Sequence, residues 1–134
     1  MPKLEFINHS SLIFSHNDVS LAMDPWIEGS VFNNSWNLLS KTSEKSIENL
    51  KKSQFVWFSH EHPDHFCPPN LKIFSEKNNF LFQKTIDKRV INFLKKISPN
   101  VKEISFNEKF QLANNFSIEI IPFQYLDSML IIRI

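Results

Sequence analysis

The chain has 134 residues, 42% hydrophobic and 22% charged, with 15 Lys and Arg against 14 Asp and Glu and a formal net charge of +1. That length makes one domain, the apolar fraction predicts a packed core rather than disorder, and near-neutrality excludes the basic footprint of a general nucleic-acid or anionic-membrane binder. One cysteine, Cys67, excludes an internal disulfide and points to a reducing, cytoplasmic setting. No apolar run reaches the ~18 residues of a transmembrane helix, and the N-terminus lacks a secretory apolar segment. Gly29 is the single glycine, unusual in a chain that must turn often.

In chain order, residues 4–7 and 12–15 read as strands, Asn17-Asp18 as a turn pair and Val19–Met23 as a third strand ending at Asp24-Pro25. Periodicity fails over 25–39, which predicts an ordered loop of functional length. Residues 46–52 predict a short helix with Ile47 and Leu50 on one face. Residues 54–59 form a continuous apolar run, as in a strand buried on both faces. A helix is predicted over 69–77 with Pro69 in its first turn, a strand over 80–83, and the strongest helix over 87–97, where Val90, Ile91, Leu94 and Ile97 share a face. Residues 101–105, 109–112, 116–122 and 129–134 read as strands. This order predicts a mixed α/β fold with a layered sheet. The chain stops inside the apolar run Ile131-Ile132-Arg133-Ile134, which predicts a fragment or an early-terminated product.

Three of the five histidines fall within His60-Glu61-His62-Pro63-Asp64-His65, directly after the predicted buried strand. Imidazole and carboxylate are ligands that zinc and similar divalent ions accept. The carboxyl end of a sheet strand is the usual place for a site in an α/β fold. Pro63 biases His62 toward an extended conformation, in which residues two apart share a side, so His60 and His62 are expected to address one ion, with Asp64 and His65 reaching a neighbouring position. Asp64 stands where a helical zinc-protease motif would need its second histidine, which excludes that arrangement.

His60, His62, Asp64 and His65 match the His-x-His-x-Asp-His signature, and on them the chain resembles the metallo-β-lactamase-fold hydrolases. Upstream, Asn8-His9-Ser10-Ser11 and Asp24-Pro25-Trp26, continued by Gly29 and Trp36, are similar to segments of one branch. That branch holds L-ascorbate-6-phosphate lactonase, N-acylphosphatidylethanolamine-hydrolysing phospholipase D and the metallo-β-lactamase-like part of CMP-N-acetylneuraminate hydroxylase. Asn70-Leu71 and the Trp-containing loop lean toward the last. The resemblance implies an αββα sandwich built from two similar halves, of which this chain supplies the N-terminal one as a mixed sheet with helices on one face. It implies zinc or another divalent metal, up to two ions in the complete fold. It assigns His60, His62, Asp64 and His65 as metal ligands, Asp64 also as the catalytic orienter of water, Asp24 as support for a ligand histidine, and His9, Trp26 and Trp36 as the substrate pocket. Asn8 stands where the branch has Gly and is a residue that also tolerates a left-handed turn.

The family's later ligands have no evident counterpart, since no histidine follows His65. Asp87 is expected at a helix start and Asp127 before the last strand, neither as a ligand, and Gln124 or Tyr125 falls where a third histidine would be sought. The missing half or a second chain is therefore an expected partner. Cys67 reads as a small buried hydrophobe, Trp57 as core, and Lys84, Lys88 and Arg89 as a solvated face. Three functions follow: a metal-dependent hydrolase acting on a phosphorylated or nucleotide-linked sugar, a lactone or a phosphodiester; a non-catalytic remnant or binding module of that fold; and an accessory domain of a CMP-sialic-acid-hydroxylase-like protein. With one cysteine the chain has no Rieske spacing of its own.

Overall fold

Short β-rich runs divided by Asn and Asp turns build the first three strands, β1 (Lys3–Asn8), β2 (Ser11–His16) and β3 (Val19–Met23), as an antiparallel meander. The structure, a computed structural model, describes residues 1–124 and 127–134. A small hairpin, β4 (Ser30–Val31) with β5 (Trp36–Asn37), interrupts the long loop after β3. Then come α1 (Glu44–Lys51), β6 (Phe55–Trp57), a 3-10 turn at Pro68–Ile73, β7 (Asn79–Gln83), α2 (Arg89–Leu94) and β8 (Val101–Ile104). The last strands are β9 (Lys109–Ala113), β10 (Phe116–Phe123) and β11 (Asp127–Arg133). Six strands form one sheet in the order β1-β2-β3-β6-β7-β8, in which β3, β6, β7 and β8 run parallel. A second, antiparallel sheet has the order β11-β10-β9.

Because side chains alternate along a strand, each central strand feeds two cores. Ala22, Val56, Phe58, Phe80 and Phe82 face the helices, where they meet Leu50 of α1 and Val90, Ile91 and Leu94 of α2. Leu21, Met23, Trp57 and Leu81 face the second sheet, where they meet Phe116, Ile118 and Ile120 of β10. The layers are therefore helices, mixed sheet, antiparallel sheet. The expected uncovered face of the first sheet is thus largely covered by this chain's own β9–β11. Uncovered apolar surface lies instead at Leu4 and Phe6 on the edge strand β1 and at Phe123, Met129 and Ile131.

Several boundaries differ from the expectation for local reasons. The strand expected over 54–59 is three residues long, because the Ser59 amide bonds to the Asp24 carboxylate (2.7 Å) rather than to a neighbouring strand. The helix expected over 69–77 is only the 3-10 turn, which Pro68 and Pro69 open without an N–H to donate. α2 is shorter than expected because the Asp87 carboxylate accepts the Arg89 amide (2.8 Å) from outside the helix. α1 is capped by Ser43, whose Oγ accepts from the Ser46 amide (3.1 Å).

The scarcity of glycine is met by other residues. Among the described residues Asn17, Asp18, Asp24, Asn33, Asn34, Asn107 and Asn115 hold positive φ, where short polar side chains are the best substitutes for Gly. Asn8 is not among them. The left-handed residue of the β1–β2 turn is His9, at φ 46°, while the buried Asn8 amide donates to Ser40 O (2.8 Å) and Thr42 Oγ1 (3.0 Å).

Phe116 is fully buried between the sheets, with its ring 5.5 Å from that of Phe14. Phe116→Ala is expected to destabilise the chain by about 3–5 kcal/mol in urea unfolding. Met129→Ala, on the outer face at 48% exposure, is expected to stay within about 0.5 kcal/mol. Equal effects of the two would contradict a core shared by both sheets.

Candidate metal centre

Strand polarity gathers the site. β1 runs antiparallel to β2, β2 antiparallel to β3, and β3 parallel to β6 and β7. The carboxyl ends of β1, β3, β6 and β7 therefore lie along one edge of the sheet, and they carry His9, Asp24, the His60–His65 segment and Gln83.

Asp24 organises this edge. Its buried carboxylate accepts from the Ser59 amide (2.7 Å), the Ser59 hydroxyl (2.8 Å) and His65 Nδ1 (2.9 Å). A buried carboxylate is tolerated when its oxygens are satisfied in this way. Ser59 Oγ also lies 2.9 Å from His60 Nδ1, so one serine connects Asp24 to two motif histidines. The carbonyl of Ser59 accepts from Gln83 Nε2 (3.1 Å) and Ser128 Oγ (2.7 Å), which ties β6 to β7 and to the second sheet.

After His60 the chain turns tightly, with the amides of His65 and Phe66 both donating to the carbonyl of His62 (2.9 and 2.7 Å). This turn brings His60 Nε2 within 3.0 Å of His62 Nδ1. It also buries Asp64, whose Oδ2 lies 3.3 Å from His65 Nε2 and 3.0 Å from His9 Nε2. Asp127, at the start of β11, comes from the opposite sheet to place Oδ1 3.9 Å from His60 Nε2. Two sets of ligand atoms thus converge, each within 4.8 Å: His60, His62 and Asp127, and His9, Asp64 and His65.

The electrostatics of the neighbouring rings diverge. Burial, reinforced by the nearby His65, lowers the His60 pKa from its ordinary value. For His65 burial is the largest single influence and acts downward, yet the hydrogen bond and charge of Asp24, with Asp64 and Asp127, outweigh it and raise the pKa. With Nδ1–H donated to Asp24, a neutral His65 turns its Nε2 lone pair toward the Asp64 carboxylate. Two Lewis bases facing each other suit a shared cation, and imidazole with carboxylate is a donor set that zinc, iron and manganese accept. Cys67 takes no part: burial pushes its thiol pKa up, and it packs with Trp26 and Val31.

The other expected residues take distinct places. Trp26 is 1% exposed and packs edge-to-face on His9, ring centres 5.1 Å apart, so it supports that histidine from within the core. Trp36 is half exposed on the small hairpin, 6.2 Å from His9. His9 lines a cavity of about 360 Å³ with Phe6, Asn8 and Leu39, and neither tryptophan borders it. A larger cavity of about 410 Å³ opens beside the motif between Glu61, Gln83, Lys84, Ile86, Arg89 and Phe106. Asn70 pins the loop after Asp24, its Oδ1 accepting from the Ile27 amide (2.6 Å) and the Glu28 amide (3.0 Å). Arg89 pairs with Asp87 (2.6 Å) and Glu61 (3.5 Å), and Lys88 pairs with Glu103. Asp87 stays away from the metal-ligand sets, and Tyr125 lies outside the described residues.

Sequence reasoning missed Ser59, Gln83, Ser128 and the placement of Asp127. For Ser59 and Gln83 a signal existed, a polar residue at the carboxyl end of each buried strand. For Ser128 and Asp127 it did not, because their position depends on how the second sheet folds over the first.

The family model described as "Beta-lactamase superfamily domain" matches residues 3–124. Over 75 residues the chain is 29% identical to the cytidine monophosphate-N-acetylneuraminic acid hydroxylase of Cricetulus griseus, covering 56% of this chain and 13% of that protein. Among solved structures it is similar to CmlA, a diiron β-hydroxylase from Streptomyces venezuelae, with a TM-score of 0.73, 15% identity, and coverage of 98% of this chain and 27% of the other. A metallo hydrolase from Ignicoccus hospitalis gives a TM-score of 0.67 and 21% identity over 98% of this chain and 55% of the other. At these identities the structural likeness is one of fold.

Asp24→Asn keeps a residue that tolerates positive φ but sets an amide N–H₂ among three donors. It is expected to lower unfolding stability by about 1–3 kcal/mol in urea titration. An unchanged midpoint would show that the carboxylate does not organise the edge.

Proposed function

This chain belongs to the β-lactamase superfamily, and from that premise we propose that it is a metal-dependent hydrolase domain whose motif edge binds divalent metal. The observation that carries this reading is the convergence of His60, His62, Asp64 and His65 above one buried carboxylate, Asp24, that holds the ring of His65 and, through Ser59, that of His60. His60 and His62, joined by Asp127, would hold one ion, and Asp64 and His65 a second. When bound, such ions lower the pKa of water toward ~7 and polarise a carbonyl or phosphoryl oxygen. Zinc is the ion we assign first, with iron the competing occupant.

The protein's own contribution is positioning. Asp24 accepts the Nδ1–H of His65 and fixes the tautomer that leaves Nε2 free to ligate. Ser59 spaces His60 and His65, and Asp64 orients the attacking water. The cavity between Glu61, Lys84 and Phe106 is of a size for a small molecule, and we assign as substrate a phosphorylated or nucleotide-linked sugar, a lactone or a phosphodiester. His9 lines a cavity on the other flank. Uncovered Leu4, Phe6, Met129 and Ile131 support a further partner, the rest of a two-half sandwich or a second chain. Among the described residues no helix is long and apolar enough to cross a membrane. The single cysteine, Cys67, supports a reducing, cytoplasmic setting.

A second reading rests on a specific observation, the 29% identity with the CMP-N-acetylneuraminic acid hydroxylase. In it the domain is an accessory part of a similar hydroxylase, with the redox centre elsewhere.

The purified chain is expected to take up zinc, measured by mass spectrometry after dialysis, and His60→Ala with His62→Ala to abolish the equivalent held by those rings. Asp64→Asn is expected to lower kcat about 10²–10⁴-fold against a panel of lactones, phosphodiesters and sugar phosphates. Metal uptake without turnover of any panel member would favour the accessory reading, and uptake below about a tenth of an equivalent would reject both ion positions.

A further inference from the structure

The second ion position has two ligands within the motif, Asp64 and His65, and a zinc site normally takes three or four from the protein. Beside those two, a third imidazole, that of His9, converges on the same position. Resting on the metal-binding reading above, we infer that His9 is a third ligand of the second ion, beside Asp64 and His65.

Three independent features place His9 there. Its Nε2 lies 3.0 Å from Asp64 Oδ2, the same carboxylate oxygen that lies 3.3 Å from His65 Nε2. With metal–ligand bonds of about 2.0–2.2 Å, tetrahedral geometry sets neighbouring ligand atoms about 3.3 Å apart, so both pairs already have the spacing of a shared ion, and the ligand atoms of all three residues lie within 4.8 Å of one another. The turn that carries His9 is pinned on both sides. The Ser10 hydroxyl donates to the Asp64 carbonyl (3.1 Å), and the buried Asn8 amide holds Ser40 and Thr42. His9 also occupies the left-handed region at φ 46°, a conformation that costs a non-glycine residue of order 1–3 kcal/mol. The strain directs this ring over Asp64, where Trp26 backs it edge-on at 5.1 Å.

A competing role is a simple hydrogen bond in which His9 orients Asp64, and the two roles differ measurably. The chain is titrated with cobalt(II), with bound metal counted after gel filtration and paramagnetically shifted imidazole protons followed by NMR. The unaltered protein is expected to bind two equivalents. His9→Gln, which can still donate to Asp64 but is a poor ligand, is expected to retain one, with one shifted imidazole set lost. His9→Asn, which suits a positive φ, guards against a folding defect and is expected to give the same loss. Two equivalents and an unchanged set of shifted protons in both variants would overturn the assignment of His9 while leaving the metal-binding reading intact. Failure of the unaltered chain to bind cobalt would overturn both.

Discussion

The candidate site depends on one buried carboxylate, both of whose oxygens accept hydrogen bonds. Asp24 stands at the end of β3, out of water, and receives two bonds from Ser59 and one from His65. Removing a charge from solvent costs several kcal/mol unless donors replace the lost water. Here all three donors belong to the segment that follows β6. Solvating Asp24 and shaping the metal loop are therefore the same event. The loop has little freedom to leave, because its departure would strand a charge in the interior.

This constraint acts across a junction between sheet types. β3 closes the antiparallel meander and opens the parallel run, so the end of β3 lies beside the end of β6. The meander returns the end of β1 to the same edge, and the first residues of β11, Asp127 and Ser128, reach it from the second sheet. Four separate parts of the chain reach the site, and none supplies both ligand sets alone. His60 and Asp127 come from different sheets, which share a core containing Trp57, Phe116 and Ile118.

Much of this was legible in the residues. The motif histidines and Asp64 could be read from type and spacing, and Asp24 through the resemblance of Asp24-Pro25-Trp26 to a segment of one branch. The continuous apolar run over 54–59 marked a strand with two buried faces, and Val56 and Trp57 do enter different cores. What could not be read were effects of distant packing. Asp127 precedes a strand, and nothing local says that the strand will cross above His60. His9 and Trp26 look equivalent as pocket residues, yet one reaches the ligands while the other is sealed beneath it. Two of the shortened elements share a device: the Asp24 carboxylate takes the Ser59 amide, and the Asp87 carboxylate takes the Arg89 amide in a local turn that precedes the helix.

Asparagine in place of glycine at the turns also affects the chain before it folds. A glycine turn is easy to form but leaves the unfolded ensemble with more conformations to surrender. At Asn17, Asn33, Asn34, Asn107 and Asn115 the chain accepts a small steric cost in the native state. In return its denatured ensemble is narrower, and less backbone entropy is lost on folding. A strand-rich fold with many non-local pairings must close its loops before those contacts form, and partly preorganised turns shorten that search.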